Sequence, residues 1–186
     1  MIASITEPIS PPYQRHGYRT PGRYDGLLAF AAKLGGCFRE VKHWSVLDVG
    51  GADGWLGEML VCRQYVCLDP VDPRWTLRIA TRPFVCARAE ALPFGPGRFD
   101  LVVSKQTLPH FADPAAACQE MRRVARHAVM IRQDWPKVAG GGYEPIGWPG
   151  HSRSRIDAPA DILAALGAPQ WSVAYDEADF TARRIR

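Results

Sequence analysis

Residues 46–57 read VLDVGGADGWLG and bring together groups that a polar ligand would need. An apolar, strand-favouring run leads into Asp48. Gly50, Gly51, Ala52, Asp53 and Gly54 follow, and 55–60 read as the opening of a helix. Glycines admit backbone angles that a side chain forbids and let a ligand lie against the main chain. A helix start adds unpaired N–H groups and the positive end of a dipole. At the carboxyl end of a parallel strand this combination suits a nucleotide-like ligand. An ordinary strand-to-helix turn makes similar demands, so the stretch alone leaves both readings open. Asp69 follows Asp48 by 21 positions and closes the next apolar run. A carboxylate at a strand end can accept both hydroxyls of a ribose, at roughly 1.5–3 kcal/mol for each well-formed charged hydrogen bond. It can equally cap the turn over 70–73. The dinucleotide fingerprint does not fit: counted from Gly50 its third and sixth positions are Ala52 and Trp55, and counted from Gly51 its third is Asp53. No Gly-Lys-Ser/Thr occurs, which excludes a Walker loop.

These residues need elements to hold them. Tyr24, Leu27, Leu28, Ala31 and Leu34 recur at helical spacing, so 23–41 is expected to be a helix stopped by Gly35 and Gly36. From Trp44 onward strands and helices alternate. Strands are expected at 45–49, 65–68, 83–87, 99–104 and 127–132, and helices at 55–62 and 113–126, with a short helix or turn at 73–80. FDLVVS at 99–104 is a largely apolar run with the character of a buried parallel strand. Asp113 followed by Pro114 is an N-cap and first-turn pair, with Ala117, Met121 and Val124 facing inward. Repeated strand–helix units imply a parallel sheet with helices on both faces. A helix at 159–166 stopped by Gly167, then strands at 171–175 and 180–185, predict a closing hairpin with one strand antiparallel to the rest.

Two stretches break the pattern. Residues 1–22 carry Pro8, Pro11, Pro12 and Pro21 with Tyr13, His16 and Tyr18, and read as an irregular arm, either a disordered leader or a lid. Residues 134–156 mix glycines with Trp135, Tyr143, Trp148 and His151, the composition of a substrate-facing loop. The domain reading is an arm at 1–22 and one domain at 23–186.

Composition bounds the function. The chain has 186 residues, 47% hydrophobic and 23% charged, ordinary values for a globular domain. Much of its net charge of +4 sits in the terminal third, at Arg153, Arg155, Arg183, Arg184 and Arg186, and reads as a solvated basic surface without the dense basic and aromatic run expected of a nucleic-acid binder. The five cysteines form no Cys-x-x-Cys, which fits reduced thiols and a cytoplasmic protein. No apolar run approaches the length of a membrane span, and the beginning of the chain lacks a signal-peptide pattern.

VLDVGGADG, the strand-end Asp69 and the run ARAEALPFGPGRFDLVVSKQTLPHFADPAAACQEMRRVAR resemble the class I S-adenosylmethionine-dependent methyltransferases. They are most similar to the small-molecule group, type 11-like, whose middle reads D-A-E-x-L-P-F, FD-x-V, LEH, P and E-x-x-R-V-L. The resemblance covers roughly residues 44–133. It implies an α/β fold: a Rossmann-like, seven-stranded, mostly parallel sheet with helices on both faces and an antiparallel C-terminal hairpin. It implies S-adenosyl-L-methionine as cofactor. Gly50, Gly51 and Ala52 would face its methionine end, with Asp48 supporting the turn or reaching the amino group through water. Asp69 would take the ribose hydroxyls and Pro70 would lie against the adenine. Ala89 would offer its N–H to the adenine edge with Glu90 beside it, and Ser104 and Lys105 would border the sulfonium. Three positions depart from the pattern: Ala52 replaces the middle glycine, Arg88 the acid before Ala89, and Pro109 the glutamate of LEH.

The resemblance implies methyl transfer to an O or N atom of a small molecule in a biosynthetic pathway, with a possible homodimer completing a pocket built from 1–25, 106–112 and 134–156. His110, past the sheet edge, is the candidate base, histidine being the side chain suited to proton transfer near neutral pH, set against a purely structural histidine. His16, Tyr18 and His151 are weaker candidates, and Lys105 could instead orient an anionic acceptor. The alternatives are a binding or regulatory module of the same fold without turnover, supported by the three departures, and an RNA or protein methyltransferase using the arginine-rich end.

Overall fold

The computed structural model describes residues 23–52, 54–70, 83–134, 159–176 and 179–185. The arm at 1–22, the turn at 73–80 and most of the loop at 134–156, with His16, Tyr18 and His151, lie outside the described residues. Strands β1 (Ser45–Val49), β2 (Gln64–Asp69), β3 (Phe84–Cys86), β4 (Phe99–Lys105), β5 (Ala125–Arg132), β6 (Trp171–Asp176) and β7 (Asp179–Arg184) form a seven-stranded sheet in the order β3-β2-β1-β4-β5-β7-β6, in which β7 is antiparallel to both of its neighbours. The chain divides into two compact units between Arg88 and Ala89.

In the first unit β1 (Ser45–Val49), β2 (Gln64–Asp69) and β3 (Phe84–Cys86) pair in parallel, with Asp48 opposite Cys67 and Asp69 opposite Cys86. Every residue of β1 is buried, polar Ser45 and Asp48 along with Val46, Leu47 and Val49. Helix α1 (Arg23–Cys37) buries Phe30, Ala31 and Leu34. Leu28, expected on the inner stripe, is 58% exposed because the stripe runs through 27, 30, 31 and 34. Nor does α1 stop at Gly35 and Gly36. A Cβ at either would meet nothing within 4 Å, so both are ordinary helical positions on an open face. Helix α2 (Leu56–Met59) is shorter than the expected 55–62. Leu60 turns extended and stays buried, and the chain returns to β2 with the N–H groups of Arg63 and Gln64 both donated to the Trp44 carbonyl, at 3.0 and 3.3 Å.

In the second unit β4 (Phe99–Lys105) and β5 (Ala125–Arg132) are parallel. The final strand β7 (Asp179–Arg184) lies antiparallel between β5 and β6 (Trp171–Asp176). Helix α3 (Pro114–Val124) begins as expected, the Asp113 carboxylate accepting the Ala116 N–H at 2.9 Å. It buries Ala117, Cys118, Met121 and Val124 completely. It ends two residues before the expected boundary, because Ala125 already pairs with Phe99 as the first residue of β5. Helix α4 (Pro159–Leu166) buries Ile162 and Leu166, and the Arg122 guanidinium donates to the carbonyls of Ala165 and Gly167 at its end.

Glu120 and Arg123 of α3 form a clamp. They pair at 2.5 Å; Glu120 also accepts the Leu92 N–H at 2.9 Å, and Arg123 donates to the carbonyls of Phe94 at 2.8 Å and Leu92 at 3.1 Å. The hydrogen bond from Arg123 holds the Glu120 carboxyl below the usual carboxylate range. At the opposite end of β4 from Lys105, buried Asp100 accepts from Arg126 at 2.8 Å. Among the described residues no helix is long and apolar enough to cross a membrane, and no cluster of His, Cys, Asp or Glu could hold a metal ion.

The α3 cap supplies a test. Asp113→Ala removes the carboxylate that accepts the Ala116 N–H at a solvent-accessible helix start. It should lower the free energy of unfolding by about 1 kcal/mol, read as a shift of the urea midpoint at constant slope.

Candidate functional site

The turn after β1 repeats one backbone conformation at alternate positions. Gly50, Ala52 and Gly54 have φ of 75°, 52° and 75°. Two are glycine and one is alanine, which reaches the left-handed region at a cost of about 1–2 kcal/mol. Gly51 is needed for a different reason: a Cβ there would lie 2.6 Å from Asp48 Oδ2 and 2.8 Å from Cys67 Sγ. The turn rests on β2. The N–H groups of Gly50 and Gly51 donate to the Leu68 carbonyl at 2.7 and 3.2 Å, and that of Ala52 donates to Asp69 Oδ2 at 3.0 Å. Asp48, Gly50, Gly51, Ala52 and Asp69 thus share one small structure, with Pro70 next in the chain. Pro70 is half-buried and its carbonyl accepts from Cys86 Sγ at 3.5 Å.

Asp48 is 4% exposed, and a carboxylate so buried requires donors. The hydroxyl of Tyr65, itself buried in β2, donates to Asp48 Oδ2. Gly57 lets α2 lie on this ring, since a Cβ there would meet the Tyr65 ring at 2.6 Å. Burial, followed by the charge of Asp48, pushes the Tyr65 phenol well above its ordinary range. Sequence reading missed Tyr65. Its one visible signal is a residue with a polar tip inside an otherwise apolar strand, where a buried hydroxyl needs a partner.

In the second unit Ala89 is buried and Glu90 half-buried. Glu90 Oε1 accepts the N–H groups of Ala112 and Asp113, at 2.7 and 3.2 Å, and so fixes the entry to α3. Ser104 is fully buried, its hydroxyl hydrogen-bonded to that of Thr107, and Lys105 is the half-buried last residue of β4. His110 closes a 3₁₀ turn, Leu108–His110, containing Pro109 and anchored by buried Leu108. Its N–H donates to the Thr107 carbonyl at 2.9 Å.

Sequence reading also missed a polar group where β4 and β5 end. Lys105 pairs with Arg132, so the residues that follow each are neighbours. Gln106, at φ 58°, donates its N–H to the Arg132 carbonyl at 2.8 Å and its side-chain amide to the Asp134 carboxylate. Gln133 Nε2 donates to Gln106 Oε1 at 2.8 Å and to the Asp134 carbonyl at 3.1 Å. Arg132 is paired with buried Asp179 at 3.0 Å.

The Asp48–Tyr65 bond makes two predictions with one variant. Tyr65→Phe leaves the carboxylate without that donor and should cost about 1–3 kcal/mol of stability in denaturant unfolding. The sign of the pH effect follows from the raised phenol. Unfolded chains ionise this group near pH 10 while the folded protein does not, so its contribution is full below pH 10 and is lost as pH rises further. The wild type should therefore lose stability above pH 10 more steeply than Tyr65→Phe.

Comparison with known proteins agrees with this architecture. A methyltransferase domain model matches residues 47–131. An uncharacterized methyltransferase of Mycolicibacterium gilvum is 32% identical over 139 residues, 65% of this chain and 54% of that protein. The match thus spans about half the length of this relative. Among solved structures, magnesium protoporphyrin IX methyltransferase (ChlM) of Synechocystis PCC 6803 with bound SAH superposes with a TM-score of 0.63 at 17% identity, over 88% of this chain and 84% of that one. The [4+2]-cyclase SpnF gives 0.62 at 19% identity, over 84% and 63%. With the sheet order, the glycine turn and the acid at the end of β2 on the same segment as these matches, the chain is similar over that segment to the class I S-adenosylmethionine-dependent methyltransferases.

Proposed function

We propose that the chain binds S-adenosyl-L-methionine and catalyses transfer of its methyl group to an oxygen or nitrogen of a small molecule, in a biosynthetic setting. The observation that carries this reading is the tie between Ala52 and Asp69: a main-chain turn bearing nothing larger than a methyl from 50 to 52, bonded to a carboxylate at the end of the next parallel strand. This arrangement fits the cofactor. Asp69 would hold the ribose hydroxyls, Gly50, Gly51 and Ala52 would flank the methionine end, and Pro70 would lie against the adenine. Ala89 and Glu90 would sit at the adenine edge and Ser104 and Lys105 by the sulfur. The bound cofactor supplies a methyl group already activated on a sulfonium. The protein's own task is to hold the acceptor in line, which can lower a barrier by about 7–11 kcal/mol. His110 would take the acceptor's proton.

A binding module without turnover was suggested by Ala52, Arg88 and Pro109. Ala52 adopts the left-handed angle that its neighbours Gly50 and Gly54 adopt, so this departure does not prevent the turn. SpnF, named a cyclase, has a similar fold, and fold alone does not fix the reaction.

Calorimetric titration with S-adenosylmethionine and S-adenosylhomocysteine decides the cofactor. Wild type should bind both, and Asp69→Ala should bind at least about tenfold more weakly, equivalent to about 1.4 kcal/mol. Asp69→Asn, which retains an acceptor for the Ala52 N–H, separates loss of the turn from loss of the ribose anchor. Absence of binding to folded wild type would refute the proposal. Once an acceptor is in hand, His110→Gln should lower kcat by about 10²-fold or more with cofactor affinity unchanged; an unaltered kcat assigns His110 to structure alone.

A further inference from the structure

The cluster at the ends of β4 and β5 contains a group that its surroundings leave unsatisfied. Gln133 is 5% exposed, and its Oε1 is buried yet accepts no hydrogen bond among the described residues. Rotating the amide would not repair this. Gln133 Nε2 already donates to Gln106 Oε1 and the Asp134 carbonyl, so exchanging N and O would set oxygen against oxygen at both contacts. Gln106 is held in turn. Its own nitrogen donates to the Asp134 carboxylate, and its oxygen also accepts the Asp134 N–H at 3.3 Å. One carboxyl group therefore orients two amides in series and leaves the second with its carbonyl as an acceptor.

Three further features mark the place. Gln106 is a non-glycine residue at positive φ, a conformation that persists only where its surroundings enforce it and that gathers at functional sites. The cluster lies past the carboxyl ends of two adjacent parallel strands, where open α/β sheets bind ligands. It is also graded in exposure, from buried Gln133 through half-buried Gln106 to exposed Asp134. A buried carbonyl without a donor is costly, and a ligand that supplies one is favoured over an analogue lacking it.

We infer that Gln133 is a specificity-determining residue for the methyl acceptor: its Oε1 receives an O–H or N–H of the acceptor molecule, with Gln106 and Asp134 fixing its direction. The acceptor is accordingly a hydrogen-bond donor at this point, and a methyl in place of that hydrogen is rejected. This inference rests on the methyltransferase reading, and the test keeps the two apart.

The whole chain, labelled with ¹⁵N and ¹³C, is assigned so that the Gln133 side-chain amide is followed in wild type. S-adenosylhomocysteine is added first, then phenol, indole and acetanilide, each beside anisole, 1-methylindole and N-methylacetanilide, which lack the donor. At least one donor probe should shift the Gln133 amide while its methylated counterpart does not. Gln133→Met should bind that probe at least about tenfold more weakly, the effect of losing one such hydrogen bond, and retain its affinity for S-adenosylhomocysteine. The inference is overturned if no donor probe moves the Gln133 amide, if both members of each pair move it equally, or if S-adenosylhomocysteine alone moves it, which would make the cofactor the donor. Failure of S-adenosylhomocysteine to bind would instead defeat the methyltransferase reading, and the same probes on the ligand-free protein would still decide the role of Gln133.

Discussion

A buried carboxylate constrains the first unit. Asp48 lies within β1 between Leu47 and Val49 and is buried, so its surroundings must supply donors and room. Tyr65 supplies a donor from β2. That ring in turn requires Gly57, because α2 crosses it at a distance no side chain would allow. The same carboxylate requires Gly51, since a Cβ would run into it. Two glycines that look interchangeable with their neighbours in the sequence thus answer to a single acid. The turn that presents Ala52 to Asp69 is the upper surface of this arrangement.

The motif letters shared with the methyltransferases divide into two kinds. Asp48, the glycine turn and Asp69 pack together at the ends of β1 and β2 and make up the proposed cofactor site. Glu120 and Arg123, the E-x-x-R of the pattern, instead grip the main chain at Leu92 and Phe94, the L-P-F of the pattern. Glu90 performs similar work for Ala112 and Asp113. Much of what makes the sequence recognisable therefore fixes loops. The departure at Ala52 is mild for a related reason: the position demands a backbone angle, which alanine reaches at modest expense.

Legibility in the sequence follows the range of the interactions. β1 and β4 could be read because strands buried on both faces are predominantly apolar. The start of α3 was visible because its cap is made three residues away, from Asp113 to Ala116. The extent of α2 was not, because Leu60 leaves the helix to become buried and to return the chain toward Trp44, a demand set outside its own periodicity. In the candidate site, the acids and the turn announced themselves through spacing. Tyr65 meets Asp48 across 17 positions, and Gln133 meets Gln106 across 27. No local pattern encodes such meetings; the strand register creates them.

The position of β7 bears on how the second unit comes together. β6 precedes β7 along the chain but hydrogen-bonds to the sheet only through it. As the polypeptide emerges in order of synthesis, β6 must wait for the strand that follows it. Until then the open edge of β5, with Val129, Met130 and Ile131 destined for burial, is a template for a stray strand. Completion of the unit is thereby coupled to the arrival of one late segment, so an interrupted chain would expose an adhesive margin rather than yield a smaller version of the same sheet.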